Sequence, residues 1–483
     1  MTDQENIILL TDSYKMGHGG MYPKNTESVY SYYESRTGAE YPFTKFFGLQ
    51  IILQRYLVGK VVTQEKIDEA EKFCALHFGT TAIFNKAMWQ HILDVHKGYL
   101  PIRIKAVPEG TKVPVGNIMM SVENTGGPLT APLTNFLETL LTHVWHASNV
   151  ATISAIIHGY LKTFFDRTSD NPDMLPFMLH DFGFRGVSSV ESAAMGGAGH
   201  LTNFMGTDTI PAITYVKRYY DKFLPSGLPD PTFMPGYSVA ATEHSVMTAL
   251  GEEGEFEIVQ QLLDHYPAGI LSVVSDSYNI DRALDQYGTT FKEQILARDG
   301  KFVVRPDSPR FKGEKPEEQI IFILEKLAGY FGYTVNSKGY KVLNPKIGVL
   351  YGDGLTLKDI SYCIMALKIK GWAAESCVYG MGGGLLQKHD RDTQRNAFKS
   401  SAQKRKGKWH DVYKKPLDET KASKRGKQIL IKNDIGQYIT VMKHDDIGHT
   451  EHAGLTDLLV TVFQDGHLIK DYTWDEVLEN GKK

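Results

Sequence analysis

Residues 346–370, KIGVLYGDGLTLKDISYCIMALKIK, hold a complete structural unit. Ile347 to Tyr351 is a short apolar run of strand length, and it stops at Gly352-Asp353-Gly354. A helical segment, Leu357 to Lys370, follows directly. The same order recurs on both sides. GILSVVSDS (269–277) leads into helix-like Tyr278 to Arg298, and KFVVRPDS (301–308) leads into Pro316 to Tyr333. In that last segment Ile320, Ile323, Leu324, Leu327 and Phe331 share one helical face. ESCVYGMGGG (375–384) is another short strand with a glycine tail. FMLHDFGFRG (177–186) is a strand and turn before SSVESAAMGGAGHLTNF (188–204), a helix of small residues suited to close packing.

Strand alternating with helix implies a parallel sheet with right-handed crossovers. Short apolar strands that each end in polar or glycine residues favour an α/β barrel, with its site at the C-terminal strand ends. A doubly wound open sheet is the competing arrangement. Outside this region the pattern is mixed. SVYSYYESR (28–36) and the segment from Pro101 to Thr125 read as strands, and 64–78 and 85–100 as helices. From Pro128 to about Arg167 runs an apolar tract read as two helices. The chain closes with strand-like QYITVM (437–442) and LVTVFQDGHLIKDY (459–472). We therefore expect a barrel over 151–384. A smaller domain is expected to draw on both chain ends, 1–150 and 385–483.

Composition excludes several classes of function. With 42% hydrophobic and 23% charged residues, the 483-residue chain has an ordinary globular make-up, and its net charge of -3 carries no nucleic-acid or membrane signature. The first residues do not read as a signal or transit peptide, so no leader is expected, and no apolar run approaches the roughly 20 residues that span a bilayer. Cys74, Cys363 and Cys377 lack paired spacing, which suggests reduced thiols and a cytoplasmic setting. The basic stretch 399–427 reads as a solvated face or active-site flap, against a nucleic-acid- or protein-binding role.

Several constellations could carry chemistry. Two glycine clusters, 352–354 and 380–384, end consecutive strands, where bare backbone N–H groups can approach a phosphate, although tight turns would use glycine too. Neither fits the Walker or dinucleotide-binding pattern, so a phosphorylated sugar suits them better. Arg185, Arg305, Arg391 and Lys399 lie near these loops and could hold phosphate oxygens. Asp208, Asp276, Asp307 and Asp353 end strands or loops, where each could bind a ribose hydroxyl, magnesium or an amide, or could cap a helix. In PGYSVAATEHS (235–245), Glu243 directly precedes His244, an arrangement that suits a general base or a nucleophile toward phosphorus.

These residues carry a resemblance. TDSYK (11–15), HDFGFRGVSS (180–189), GTDT (206–209), PGYSVAATEHS (235–245), SVVSDSY (272–278), RPDS (305–308), GDG (352–354) and GGGLLQKHDRD (382–392) occur in family order. Over nearly its whole length the chain resembles the nicotinamide phosphoribosyltransferases, which are type II phosphoribosyltransferases. The resemblance implies an irregular, incomplete α/β barrel with a second α/β domain built from both chain ends, working as a homodimer with shared active sites. It implies transfer of phosphoribosyl from phosphoribosyl pyrophosphate to nicotinamide, with Mg2+ accompanying that substrate and ATP. Phe182 and Tyr14 of the partner subunit would sandwich the pyridine ring, and Asp208 would accept from the carboxamide. Ser272 would join the substrate site, while Arg305 and Asp307 would hold the ribose side. Gly352, Asp353, Gly382 and Gly383 would cradle the 5′-phosphate. Arg185 would bind pyrophosphate, together with Arg391 and Lys399 across the dimer. His244 would be phosphorylated by ATP, with Asp276 orienting its ring.

Three features depart from the family pattern: Gly348 where relatives often have arginine, which removes an expected phosphate contact; Ala240 where proline is common; and a short segment between Arg36 and Phe46. The nearest rival is a nicotinate phosphoribosyltransferase. Asp208 argues against it, because a carboxylate repels an acid and accepts from an amide. A sugar-phosphate lyase or isomerase would need a strand-end lysine or base that the sequence does not offer.

Overall fold

The computed structural model describes residues 5–224, 226–414, 423–442 and 456–483. Its contacts divide the chain into two units. One is Ile153–Thr214 with Met234–Lys388, and the other is Met1–Thr152, Tyr215–Phe233 and His389–Lys483.

The first unit is the barrel. Its strands are β1 (Leu179–Asp181), β2 (Gly206–Thr207), β3 (Ala240–Ala241), β4 (Ala268–Val274), β5 (Asp299–Arg305), β6 (Ile347–Tyr351) and β7 (Val378–Met381). They form one sheet in the order β2-β1-β7-β6-β5-β4-β3, and every neighbouring pair is parallel. A single parallel bridge, Gly206 to Tyr237, stitches β2 to the chain just ahead of β3. The sheet thus curls on itself through short, irregular outer strands.

Helices follow the strands as the alternating pattern requires: α1 (Val190–Leu201), α2 (Glu255–His265), α3 (Ile280–Gly288), α4 (Pro316–Phe331) and α5 (Leu357–Ile369). On α4 the periodic face is the buried one, with Ile320, Ile323, Leu324 and Leu327 inaccessible. In α1 the small residues serve close approach, since a methyl group on Gly197 would lie 2.6 Å from Cβ of Ala212.

The barrel is hollow. Side chains normally fill such an interior in layers. Here inward-facing Ser272 and Gly348 are too small to do so, and a cavity of about 560 Å³ remains among Ile270, Ser272, Lys301, Val303, Gly348, Leu350 and Val378.

The second unit is built on an antiparallel sheet. Its strand order is 408–411, 396–405, 26–35, 118–124, 102–106, 460–464 and 467–468, so segments from both chain ends interleave. Tyr32 pairs with Lys399 in the longest of these ladders. Asp465 and Gly466, both at positive φ, make the last hairpin turn. The excursion 215–233 falls inside the span the sequence assigns to the barrel, yet it groups with this unit. Polar anchors account for that: Tyr220 donates to Glu109, Gln50 donates to the Tyr219 carbonyl at 2.5 Å, and the Trp474 N–H donates to the Asp221 carbonyl. The tract read as two helices opens instead as a 3-10 turn at 128–130 and two short helices at 133–136 and 138–142, followed by one long helix, Val144–Thr168. Of the basic stretch 399–427, the first part is strand, and residues 415–422 lie outside the described residues. No helix among the described residues is long and apolar enough to cross a membrane.

Candidate active site

A cavity of about 1010 Å³ opens at the C-terminal ends of the barrel strands. Its wall is assembled one strand end at a time. Phe182 follows β1, Asp208 follows β2, Glu243 and His244 follow β3, Arg305 ends β5 and Asp307 follows it, Gly352 follows β6, and Gly382 and Gly383 follow β7. Parallel strands deliver their C-terminal residues to one rim, so motifs far apart in sequence converge.

His244 stands between two carboxylates. Its Nε2 lies 3.4 Å from Asp276 Oδ1, and its Nδ1 lies 3.6 Å from Asp307 Oδ2. Asp276 is held firmly. Its other oxygen accepts from the Asp307 N–H at 2.9 Å and from the Ser308 hydroxyl at 2.5 Å, and its side chain is only 4% exposed. Asp307, by contrast, is half-exposed. Helix capping does not explain either residue: Asn279 occupies the cap position of α3 and Lys315 that of α4. Glu243 faces the same cavity and accepts from the Ser245 hydroxyl at 2.5 Å. Burial, then Asp307 and Asp276, raise the Asp353 carboxyl above the ordinary range.

On the opposite strands lies an aromatic and acidic corner. Phe182 is half-buried, and its N–H donates to the Met381 carbonyl at 2.9 Å, continuing the β1–β7 pairing. Asp208 accepts from the Ser238 hydroxyl through Oδ1. Beneath them Asp181 is buried, and its carboxyl is pushed up to about 6, mainly by desolvation. It accepts from the Gly183 N–H at 2.7 Å and so shapes the turn that carries Phe182. Sequence alone gave no reason to single out Asp181, because a strand-end aspartate is ordinary until its burial is known.

Three cations line the cavity: Arg185, Arg305 and Lys388. Arg305 is anchored by a 2.6 Å hydrogen bond to the Thr242 carbonyl. Lys388 lies within the GGGLLQKHDRD motif, where its spacing after the glycines is the only sequence signal of a site cation. Ser272 does not reach this cavity. It lines the hollow barrel interior, and its Oγ is buried without a hydrogen-bond partner. Gly348 faces the same interior, so the expected loss of a phosphate contact there does not concern the glycine-lined wall.

Tyr14, Arg391 and Lys399 belong to the other unit. Tyr14 is 61% exposed, packed edge-on to His18. Arg391 pairs with Asp392 at 3.3 Å. Lys399 is lowered from its ordinary range by desolvation and then by Lys414 and Arg36. Among the described residues no group of His, Cys, Asp or Glu side chains is arranged to hold a metal ion.

The profile of the nicotinate phosphoribosyltransferase family matches residues 177–467, and that of the nicotinamide phosphoribosyltransferase N-terminal domain matches residues 6–104. A nicotinamide phosphoribosyltransferase of Xanthomonas campestris pv. campestris is 42% identical over 98% of this chain and 97% of its own length. One from Acinetobacter baylyi is 31% identical, covering 99% and 97%. Among solved structures, nicotinate-nucleotide pyrophosphorylase from Pyrococcus furiosus superposes with a TM-score of 0.61 at 13% identity, covering 100% of this chain and 97% of that one. Human nicotinic acid phosphoribosyltransferase gives 0.53 at 16%, covering 98% and 93%. At such identities these two establish the fold, an α/β type II phosphoribosyltransferase barrel.

Proposed function

The chain belongs to the nicotinate phosphoribosyltransferase family, with nicotinamide phosphoribosyltransferases as full-length relatives, and from that premise we propose that it joins nicotinamide to phosphoribosyl pyrophosphate, coupled to ATP through a phosphohistidine. It is a phosphoribosyltransferase of NAD salvage. The observation that carries the choice of base is Asp208. Its Oδ1 accepts from Ser238, and the exposed residue lines the cavity that Phe182 also lines. A carboxylate in that position accepts from an amide and repels an acid, which disfavours nicotinate.

Pyrophosphate loss leaves positive charge on the ribose and adds negative charge to the leaving group, so the work is electrostatic and positional. Phe182 supplies a face for the pyridine. Arg185 and Lys388 meet the polyphosphate, and Gly382 and Gly383 offer backbone N–H groups to the 5′-phosphate. Arg305 and Asp307 hold the ribose. Magnesium would arrive on the polyphosphates and screen their charge. Half-exposed Asp307 and neighbouring Asp353 would offer hard oxygens that such an ion could share with phosphate.

For the coupled step, the γ-phosphoryl of ATP passes to a ring nitrogen of His244 as its bond to ADP breaks. The firmly held Asp276 keeps Nε2 oriented, and the more exposed Asp307 can turn away from Nδ1. The proposed assembly is a cytoplasmic homodimer with Tyr14 of the partner subunit completing the sandwich. Buried, unpaired Cys74, Cys363 and Cys377 suit a reducing compartment.

The test is incubation with phosphoribosyl pyrophosphate and magnesium, with nicotinamide or nicotinate, with and without labelled ATP. The expected product is nicotinamide mononucleotide, formed in higher yield with ATP, and acid-labile label on the protein. Preferential use of nicotinate would overturn the choice of base, and absence of protein-bound label would overturn the phosphohistidine.

A further inference from the structure

Gly380 lies inside β7, paired with His180 of β1. Glycine weakens a strand interior and commonly marks a close approach by another group. Its φ is not left-handed, so backbone geometry does not demand glycine here. The Phe182 ring does. A methyl group on Gly380 would lie 2.2 Å from Cε2, 2.5 Å from Cδ2 and 3.3 Å from Cζ of that ring. Non-bonded carbons settle at about 3.5–4 Å. On Gly352, across the neighbouring strand end, the corresponding distances are 3.4 and 3.5 Å, an ordinary contact. The Cδ2–Cε2 edge of the ring therefore lies against the bare backbone at Gly380, with Gly352 in ordinary contact with the same edge. The Phe182 main chain is tied to the same strand through Met381.

We infer that Gly380 is a positioning residue for the pyridine site: by lacking a side chain it lets the Cδ2–Cε2 edge of the Phe182 ring sit against the strand end and so sets where the base stacks. This rests on the proposed role of Phe182. It separates Gly380 from the phosphate-binding part of the glycine cluster. A methyl group at 380 displaces the ring by roughly 1 Å toward the cavity, on the scale at which misplacement costs activity.

Steady-state kinetics on four proteins test it: wild type, Gly380→Ala, Phe182→Ala and the double variant. Gly380→Ala is expected to raise KM for nicotinamide about tenfold or more while leaving KM for phosphoribosyl pyrophosphate within about twofold. Once the ring is absent, adding Gly380→Ala to Phe182→Ala should change nicotinamide KM by less than about twofold, because the two changes act through one contact. An unchanged KM in Gly380→Ala, equal losses for both substrates, or multiplicative penalties in the double variant overturns the inference. If Gly380→Ala alone fails to fold, recovery of folded protein in the double variant upholds the clash, and failure of both refutes it. The underlying stacking role is judged separately: Phe182→Ala with wild-type KM for nicotinamide rejects that reading, whatever Gly380 does.

Discussion

Asp208 and Asp181 stand two strands' ends apart in sequence but meet in one corner, with the Asp208 N–H donating to the Asp181 carbonyl at 2.9 Å. Their surroundings give them different tasks. Asp208 is exposed to the cavity, so its charge is available to a ligand. Replacing it with asparagine removes the repulsion toward a substrate carboxylate. The ratio of kcat/KM for nicotinamide over nicotinate is then expected to fall about tenfold or more, equivalent to roughly 1.4 kcal/mol. An unaltered ratio would remove Asp208 from the specificity argument. Asp181 is buried, and its carboxyl is raised from 3.8 to about 6. The folded state therefore binds the proton more tightly than the unfolded state. The associated stabilisation is complete below the unfolded value and is lost as pH climbs through about 6. Asp181→Asn does not titrate, so its stability relative to wild type should rise between pH 4 and 7, by up to about 3 kcal/mol. Thermal melts across that range check this, and a pH-independent difference would refute it.

At the scale of the element, the loops at the rim are held by helix starts that sequence chemistry specifies. Thr356, two residues beyond Gly354, caps α5. Its Oγ1 accepts from the Asp359 N–H at 3.3 Å, and Asp359 accepts in return from the Thr356 N–H at 2.9 Å. This reciprocal pair satisfies donors that a helix start otherwise leaves open. Thr356→Ala should cost about 1 kcal/mol and lower the melting temperature by a few degrees. The tether on the Gly352–Gly354 loop loosens with it. Calorimetry showing no shift would mean that the cap contributes nothing there.

At the scale of the whole molecule, the proposed composite site makes a sharp prediction. Tyr14 and His244 belong to different units of the chain. If Tyr14 of the partner subunit completes each site, mixing Tyr14→Ala with His244→Ala protein creates heterodimers in which one site carries both defects and the other carries none. With random exchange half the dimers are mixed and each has one intact site, so roughly a quarter of wild-type coupled activity should return. Verified subunit exchange without recovered activity would exclude sharing of Tyr14.

Strand-then-helix order, the α4 face and the strand-end position of each motif are legible in the chain because they rest on local periodicity and turn chemistry. From these the α/β barrel and its rim of Asp208, His244, Arg305 and Gly382 could be anticipated, while Phe182 entered only through the family resemblance. Other facts depend on what lies across from a residue. Ser272 reads like its neighbours, yet it points into the hollow barrel, because side chains alternate along a strand and one position decides the face. Asp276 reads like a helix cap until Asn279 takes that place and His244 arrives from another strand. Gly380 reads as one more phosphate-loop glycine, and only the Phe182 ring lying on it gives its real constraint. Local sequence determined the elements and the end of the sheet that carries the site. Burial and through-space approach, which require the chain to be folded, decided what Ser272, Asp276 and Gly380 do there.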